Sequence, residues 1–186
     1  MQRFKSILSS VILLTVFATS HAVAKDMTAL DNDIHAAIKH LLDTTPAARE
    51  LAKTARGALV FPSVKKAGFI AGVQYGDGAL VRKKAGGGYY ITNYYNIASA
   101  SYGFQAGVQQ YAYVMALMSD AAVEKVESSL NFELGLGPNI VVVDAGVAKK
   151  LSTQTVKDAV YVFMFGQKGL MAGMGIEGTK ISRINK

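Results

Sequence analysis

Two short stretches of the chain have the letters of known catalytic or cofactor-binding motifs. Residues 173–178 read GMGIEG, which is the G-x-G-x-x-G pattern of a dinucleotide-binding loop, but only eight residues follow them. Because such a site needs a helix and a second strand after the loop, we expect no dinucleotide site here. Residues 63–66 read SVKK, the S-x-x-K pattern of an acylating serine. Pro62 precedes them and neither S-D-N nor K-T-G occurs, so we expect no acylation either.

Histidines, cysteines and carboxylates offer little further chemistry. The chain has no cysteine, and His35 and His40 lie five residues apart, so they do not share a helical face as a pair of metal ligands would. Asp144 follows three valines and is interpreted as a turn residue rather than a catalytic carboxylate. We therefore predict no catalytic residue, no metal and no cofactor. A hydrolase with an unrecognised serine remains the third hypothesis for function.

Basic residues next to aromatic ones are the better candidates for a binding site. The formal net charge of +7 favours anionic partners, which can be membrane surfaces or lipid head groups. Two basic clusters run into aromatic side chains, and together they are the predicted lipid-binding residues: Lys65, Lys66, Arg82, Lys83, Lys84, Phe69 and Tyr90. If both clusters lie at loop ends of one sheet, they form a single basic rim. The alternative is that the lysines are ordinary surface and the two aromatic residues ordinary core.

The first residues have the pattern of a secretory signal peptide. Arg3 and Lys5 precede an apolar run over residues 7–17, and Ala22 and Ala24 form a small-x-small cleavage site. We expect cleavage after Ala24, which leaves residues 25–186 as one exported, periplasmic or secreted domain without a lipobox cysteine. An uncleaved N-terminal anchor is the alternative. Nucleic-acid binding is not expected, because the basic residues are scattered and export is predicted.

The spacing of apolar residues predicts helices over residues 26–56 and a mainly β region over residues 57–186, with one helix near residues 120–129. Six apolar residues recur at helical intervals, namely Met27, Leu30, Ile34, Ile38, Leu41 and Leu42. Thr45 and Pro46 start a second helix, for which Gly57 is the predicted C-terminal cap. Ser119 and Asp120 are predicted to cap the third helix at its N-terminus. The acidic polar face of the first helix makes it a weaker candidate for membrane contact than the basic loops.

Glycine positions define the expected turns and strand ends. Three copies of the pattern Gly-[Phe/Leu]-x-Ala-Gly-[Val/Met] begin at Gly68, Gly103 and Gly169, and glycines within strands indicate bulges or close backbone approach. We predict a strand over residues 58–61 that stops at Pro62. Hairpin turns are expected at residues 76–78 and 86–88, and a fold-back at residues 166–169. These features indicate an α+β fold whose core is a curved or barrel-like antiparallel, glycine-rich β-sheet with N-terminal helices and one inserted helix.

Four stretches of the sequence have the wording of a known domain family: residues 57–69 read GALVFPSVKKAGF, residues 72–78 read GVQYGDG, residues 100–109 read ASYGFQAGVQ and residues 169–173 read GLMAG. Together they resemble the SYLF domain family, and residues 57–69 are similar to its opening. The resemblance covers nearly all of residues 47–184. It implies binding of phosphoinositides or other anionic lipids, and actin in some eukaryotic relatives. Exported bacterial members are described as lipid-binding, and an exported protein would not meet actin in its own cell.

The sequence therefore predicts a non-enzymatic, lipid-binding protein of the bacterial cell envelope that contacts anionic, phosphoinositide-like head groups or a membrane surface. The alternative is an envelope structural or protein-interaction module whose glycine-rich sheet binds a protein partner.

Overall fold

The computed structural model describes residues 27–69, 71–102, 107–134, 140–143, 160–171 and 179–184. The predicted signal peptide, Asp144, residues 172–178 and parts of the glycine copies lie outside these ranges. The described chain forms three helices and eight strands: α1 Met27–Thr44, α2 Pro46–Thr54, β1 Gly57–Gly68, β2 Ala71–Lys83, β3 Tyr89–Tyr102, β4 Gly107–Leu117, α3 Asp120–Ser128, β5 Asn131–Leu134, β6 Ile140–Val142, β7 Val160–Met171 and β8 Thr179–Arg183.

The described strands build one curved sheet in the order β5-β8-β3-β2-β1-β4-β7-β6. Six of the seven neighbouring pairs are antiparallel, and β6 runs parallel to β7. The predicted α+β fold with a curved sheet is confirmed, with the correction that the sheet is mixed rather than wholly antiparallel.

Each face of the sheet carries its own hydrophobic core. Helices α1 and α2 cover one face, which we call the α1 face, where residues such as Ile34 and Leu51 pack against Val60 and Phe163. Helix α3 covers part of the other face, the α3 face, where Val123 belongs to a second core cluster. Because the strand period is two, consecutive residues of one strand contribute to opposite cores.

The helical predictions match the structure closely. The apolar stripe of α1 buries Leu30, Ile34, Ala37 and Leu41, and α2 begins at Pro46 after Thr45. The prediction of Gly57 as the C-terminal cap was wrong. Ala55 is the cap residue of α2, and Gly57 is already the first residue of β1.

Strand β1 does not stop at Pro62. It continues to Gly68, and its pairing with β2 shifts register between Val60 and Ser63, while its pairing with β4 shifts between Phe61 and Val64. A bulge of this kind frees the position of Pro62 from the ladder hydrogen bond that a proline cannot donate. The proline therefore marks an irregularity inside a long strand, which sequence reasoning interpreted as the end of a short one.

Two of the three turns predicted at glycines are wrong, because these residues lie inside strands. Residues 76–78 lie within β2, opposite the β1 bulge, and residues 166–169 lie within β7, where the pairing with β4 shifts register between Gln110 and Ala112. Gly166 has a φ of 66°, which suits a bulge in β7. The turn at residues 86–88 is confirmed, because Gly87 and Gly88 have φ angles of 91° and 77° between β2 and β3.

Candidate functional site

The glycine copies meet at one end of the sheet. Gly68 pairs with Gly72 across the β1–β2 turn and with Gly107 at the start of β4, and Gly107 pairs in turn with Met171 at the end of β7. We call this region the glycine end; the opposite end, with the β2–β3 turn at residues 84–88, is the lysine end. The described parts of the three glycine copies therefore belong to one local structure rather than to separate sites.

On the α1 face, the glycine end exposes an apolar row that crosses three neighbouring strands. Ala67 of β1 is paired with Val73 of β2 and Val108 of β4, and the two valines are 63% and 67% exposed. Phe69, in the adjoining turn, is 62% exposed. Exposed apolar residues that are contiguous in this way are typical of surfaces that bind a membrane or another molecule.

The apolar row lies just beyond the part of the sheet that α1 covers. The first turns of α1, with Ala29 and Asp33, line a shallow groove together with Lys65 and Tyr75, which form the next row of the sheet. The row of Ala67, one pair nearer the turn, has exposed side chains on each of its three strands. The length and position of α1 thus define which part of the sheet stays accessible.

Charges beside the apolar row are mixed. Lys65 and Lys168 are exposed, while Asp33 and Asp77 lie in grooves beside them. The Tyr75 hydroxyl donates a hydrogen bond to Asp77 Oδ1 at 2.7 Å. Partial burial, with a further contribution from this bond, raises the pKa of Tyr75 to about 12, so its hydroxyl keeps its proton at neutral pH. The lysines therefore supply local attraction for anions without making the whole region strongly basic.

Lys66 lies on the α3 face, away from Lys65. It is only 5% exposed, because adjacent residues of a strand point to opposite sides of the sheet. The two lysines therefore do not present their side chains to the same surface of the sheet.

At the lysine end, two of the predicted head-group ligands have contacts within the protein. The Arg82 guanidinium lies 3.2 Å from Glu127 Oε2 of α3. Lys83 Nζ donates to the carbonyl oxygens of Ala52 and Lys53, at 3.3 and 2.9 Å. Those carbonyls belong to the last turn of α2, where a cation is favourable because it satisfies unpaired acceptors and opposes the helix dipole.

The remaining residues predicted for this end are accessible. Lys84 is exposed beside the glycine turn, and Tyr90 is 44% exposed near the start of β3. Their role as lipid contacts stays a prediction.

The seven predicted site residues do not form one rim. Lys65 pairs with Tyr75, and Lys83 lies eight residues further along β2, a separation of about 26 Å at 3.3 Å per residue. Both clusters do lie near ends of the same sheet, but at opposite ends. Lys65 and Phe69 belong to the glycine end, and Arg82, Lys83, Lys84 and Tyr90 belong to the lysine end.

Sequence reasoning missed Val73, Val108 and Lys168 as members of the glycine end. The signal was nevertheless present, because Val73 and Val108 are the last residues of the first two glycine copies. The two valines occupy equivalent positions on the strands that flank β1, and this equivalence is visible only in the strand register.

Within the described ranges, no group of three or more His, Asp or Glu side chains could hold a metal ion. None of the described helices combines the length and apolar character that a membrane span requires.

Comparison with known proteins finds a family model that matches the C-terminal part of the chain. Residues 98–186 match the Ysc84 family model, described as "Las17-binding protein actin regulator". The matched range begins within β3, so Lys65 and Phe69 lie outside it.

Two curated relatives, both named "SH3 domain-containing YSC84-like protein 1", come from Homo sapiens and Pongo abelii. Each is 31% identical to this chain over 123 residues, which is 65% of the chain and 35% of the relative. The match thus spans about a third of the relatives' length. Over the matched residues, the chain is therefore similar to the Ysc84 (SYLF) family.

Proposed function

We propose that this protein is a non-enzymatic binding domain that attaches to anionic lipid surfaces through its glycine end. Phe69 and the exposed row of Val73, Ala67 and Val108 would enter the interfacial region of the bilayer, with Lys65 beside them at the head groups. Phosphoinositide-like lipids are suitable ligands because their phosphates add negative charge at the depth that Lys65 reaches.

The observation that carries this proposal is the accessible apolar row at the end of an otherwise well-covered sheet. Elsewhere the large apolar residues of β1, β2 and β4 are buried, as Phe61, Leu80 and Met115 illustrate. A small protein gains nothing in stability from exposed valines on the two strands that flank β1 and an exposed phenylalanine in the β1–β2 turn. A lipid interface would remove this apolar surface from water, at a gain of about 25 cal/mol per Å² buried.

Electrostatics supports the choice of an anionic surface. Each lysine near an anionic membrane contributes about 1 kcal/mol of attraction, which falls off within a Debye length. Lys65 and Lys168 are exposed on the same face as the apolar row, in register through Gln110. The apolar row would determine how deeply the protein enters the bilayer and in which orientation. These lysines would determine its preference for anionic lipids.

We also propose that the protein acts outside the cytoplasm of a bacterial cell. This rests on the N-terminal sequence pattern, in which Arg3 and Lys5 precede an apolar stretch and a cleavage site at Ala24. The N-terminus of the secreted protein, determined by mass spectrometry, tests this part separately: it should begin at Lys25.

Vesicle co-sedimentation with matched variants tests the membrane proposal. Phosphatidylcholine vesicles with and without phosphatidylglycerol are compared at low and high salt. Lys65→Glu should weaken binding to anionic vesicles about 30-fold, since the reversal changes the interaction by about 2 kcal/mol. Lys84→Glu carries the same charge change at the lysine end and should leave binding within about twofold, because Lys84 lies outside the screened range of the contact.

An aromatic pair completes the experiment. Phe69→Ser should weaken binding about tenfold through lost apolar contact, whereas Tyr90→Ser, at the other end, should have little effect. Equal losses in the Lys65 and Lys84 variants, or a larger loss for Tyr90→Ser, would contradict attachment through the glycine end. No binding of the wild-type protein to either vesicle would contradict lipid binding itself.

A protein partner is the second candidate. It is favoured by the family description, which names Las17 binding and actin regulation, and by the same apolar row, which a protein could cover instead. An envelope protein partner fits the predicted export better than actin does. A protein partner that co-purifies at low and high salt, but not with the Phe69→Ser variant, would favour this alternative if the protein also fails to bind vesicles. Co-sedimentation with actin filaments tests actin binding directly.

A further inference from the structure

A row of polar side chains crosses the α1 face next to the apolar row of the glycine end. Lys65 of β1 is paired with Gln110 of β4, and Gln110 is paired in turn with Lys168 of β7. All three side chains are exposed. Because neighbouring strands lie about 4.8 Å apart, the backbone positions of the two lysines are separated by about 10 Å. Two cations are thus held side by side where the proposed attachment places lipid head groups.

A carboxylate of α1 is shared by the two grooves that these lysines line. Asp33 lines one groove with Lys168 and Gln110, toward β4 and β7, and another with Lys65, toward β1 and β2. The grooves have volumes of about 310 and 280 Å³, close to the lower limit of about 300 Å³ for ligand pockets in proteins. Each lysine therefore borders a space that can receive a small charged group, with a carboxylate between them.

These charged groups are available to a ligand. In the part of the chain that the structure describes, the side chains of Lys65, Lys168 and Asp33 make no hydrogen bond or ion pair. All three are exposed, so water solvates them in the free protein. A ligand can replace that water without breaking a contact within the protein. The pattern that it meets is a cation, a hydrogen-bond acceptor and a second cation.

This pattern does not suit a single phosphate held between the lysines, because the phosphate would face the like charge of Asp33. It suits a ligand with one phosphate for each lysine and a hydroxyl group between them, since an ionised carboxylate can only accept hydrogen bonds. The flexible four-carbon stems of the lysines let their ammonium groups approach phosphates that are closer together than 10 Å. The exposed amide of Gln110 can donate to either phosphate.

We propose that this row binds one lipid whose two phosphates are joined by a hydroxyl-bearing three-carbon linker, which is the head group of cardiolipin. Lys65 would pair with one phosphate and Lys168 with the other. Asp33 would accept a hydrogen bond from the hydroxyl of the linker. The acyl chains would then enter the bilayer beside the exposed apolar row. This inference rests on the proposed attachment to lipid surfaces and names the lipid for which the glycine end is selective.

Co-sedimentation with charge-matched vesicles tests the proposal. One phosphatidylcholine preparation contains phosphatidylglycerol, and in the other each pair of phosphatidylglycerol molecules is replaced by one cardiolipin molecule. The wild-type protein should bind the cardiolipin vesicles about tenfold more tightly, because the second phosphate is held near its lysine once the first has bound. Equal or weaker binding to cardiolipin would overturn this proposal and leave the attachment to anionic surfaces standing. Binding to neither preparation would overturn both.

Two matched variants assign the second phosphate to its lysine. Lys168→Met should reduce the advantage of cardiolipin to about twofold or less, since only one phosphate then meets a cation. Lys84→Met removes the same charge at the lysine end and should keep the wild-type ratio. Both side chains are exposed, and circular dichroism checks that the variants are folded. An unchanged ratio in Lys168→Met would overturn the proposal.

A cardiolipin analogue without the linker hydroxyl tests the role of Asp33 at constant lipid charge. The wild-type protein should bind vesicles with this analogue about fivefold more weakly than vesicles with cardiolipin, because one hydrogen bond is lost. Asp33→Ala should bind the two lipids equally. If Asp33 were only a surface charge, its removal would strengthen binding to every anionic vesicle by the same factor. Equal binding of the wild-type protein to cardiolipin and the analogue would also overturn the proposal.

Discussion

Gly78 lies where β2 passes the bulge of β1, and no larger residue fits there. A Cβ atom at this position would lie 2.0 Å from the Val60 carbonyl oxygen and 2.6 Å from Phe61 Cδ1. Gly76 is tight in the same way, with the Ser63 carbonyl oxygen at 2.8 Å. The two glycines therefore provide room for the backbone displacement that Pro62 requires.

Replacement of Gly78 should be strongly destabilising. Because the nearest atom is backbone and cannot rotate away, we expect Gly78→Ala to lower the free energy of unfolding by about 3 kcal/mol, at the upper end of overpacking effects. Gly86→Ala is the matched control, because nothing lies within 4 Å of a Cβ there. Its effect should stay within about 0.5 kcal/mol. Urea unfolding followed by circular dichroism measures both, and similar stabilities of the two variants would contradict the close approach.

The role of Gly76 and Gly78 shows what the sequence could not reveal. An Asp-Gly step between apolar segments is the usual signal of a hairpin turn, and residues 76–78 have that signal. Here the glycines accommodate a proline that lies about fifteen residues earlier in the chain, on a neighbouring strand. Local rules cannot detect such a pairing, because it depends on the register between β1 and β2. Once β1 is known to continue past Pro62, the opposite orientations of Lys65 and Lys66 follow from strand geometry alone.

At the scale of elements, α3 follows the N-cap residue Ser119, as the sequence predicts. Ser119 adopts an extended conformation and its Oγ accepts a hydrogen bond from Ala122 N at 3.1 Å. This helix then packs Val123 and Val126 into the core of the α3 face, and its Glu127 binds Arg82 of β2. The cap thus stabilises the element that covers one side of the lysine end.

Removal of this cap should have a moderate cost. Ser119→Ala should lower the free energy of unfolding by about 1 kcal/mol, because the first turn of α3 loses the acceptor for one of its free amide groups. Ser119→Asp restores an acceptor and should recover most of the loss. Chemical denaturation of both variants measures this difference. A loss in Ser119→Asp as large as that in Ser119→Ala would show that the hydroxyl acts through some other contact.

Elements whose signals are local were predicted best. The stripe of α1, the Pro46 start of α2, the cap of α3 and the glycine turn at residues 86–88 each depend on residues within one or two turns of chain. The long strands were interrupted wrongly at Pro62, at residues 76–78 and at residues 166–169, since each of these irregularities is compensated by a neighbouring strand. The exposed row at the glycine end could not be predicted for the same reason, because it consists of single residues from three strands.

For the whole molecule, the important property is the difference between the two ends of the sheet. The glycine end exposes apolar side chains beside Lys65, whereas at the lysine end Arg82 binds Glu127 and Lys83 binds the α2 carbonyls. Val73 and Lys83 are ten positions apart along β2, about 33 Å, so a flat membrane can contact only one end at a time when the strands stand upright on it. The proposed attachment therefore predicts an orientation as well as an affinity.

Single-cysteine labelling measures that orientation. The chain has no cysteine, so Val73→Cys and Ala85→Cys each offer one reactive thiol, at the glycine end and the lysine end respectively. An environment-sensitive fluorophore at position 73 should shift to shorter wavelength on addition of phosphatidylglycerol vesicles and be quenched by lipids brominated in their acyl chains. The same label at position 85 should remain in water, because a Debye length of about 8 Å and a separation of about 40 Å from the turn at Phe69 keep it clear of the interface. Quenching at position 85 but not at 73 would place the contact at the lysine end, with Lys84 and Tyr90. Quenching at both positions would mean that the sheet lies flat on the membrane. Because α1 and α2 cover most of the α1 face, that face could then not be the surface that determines binding.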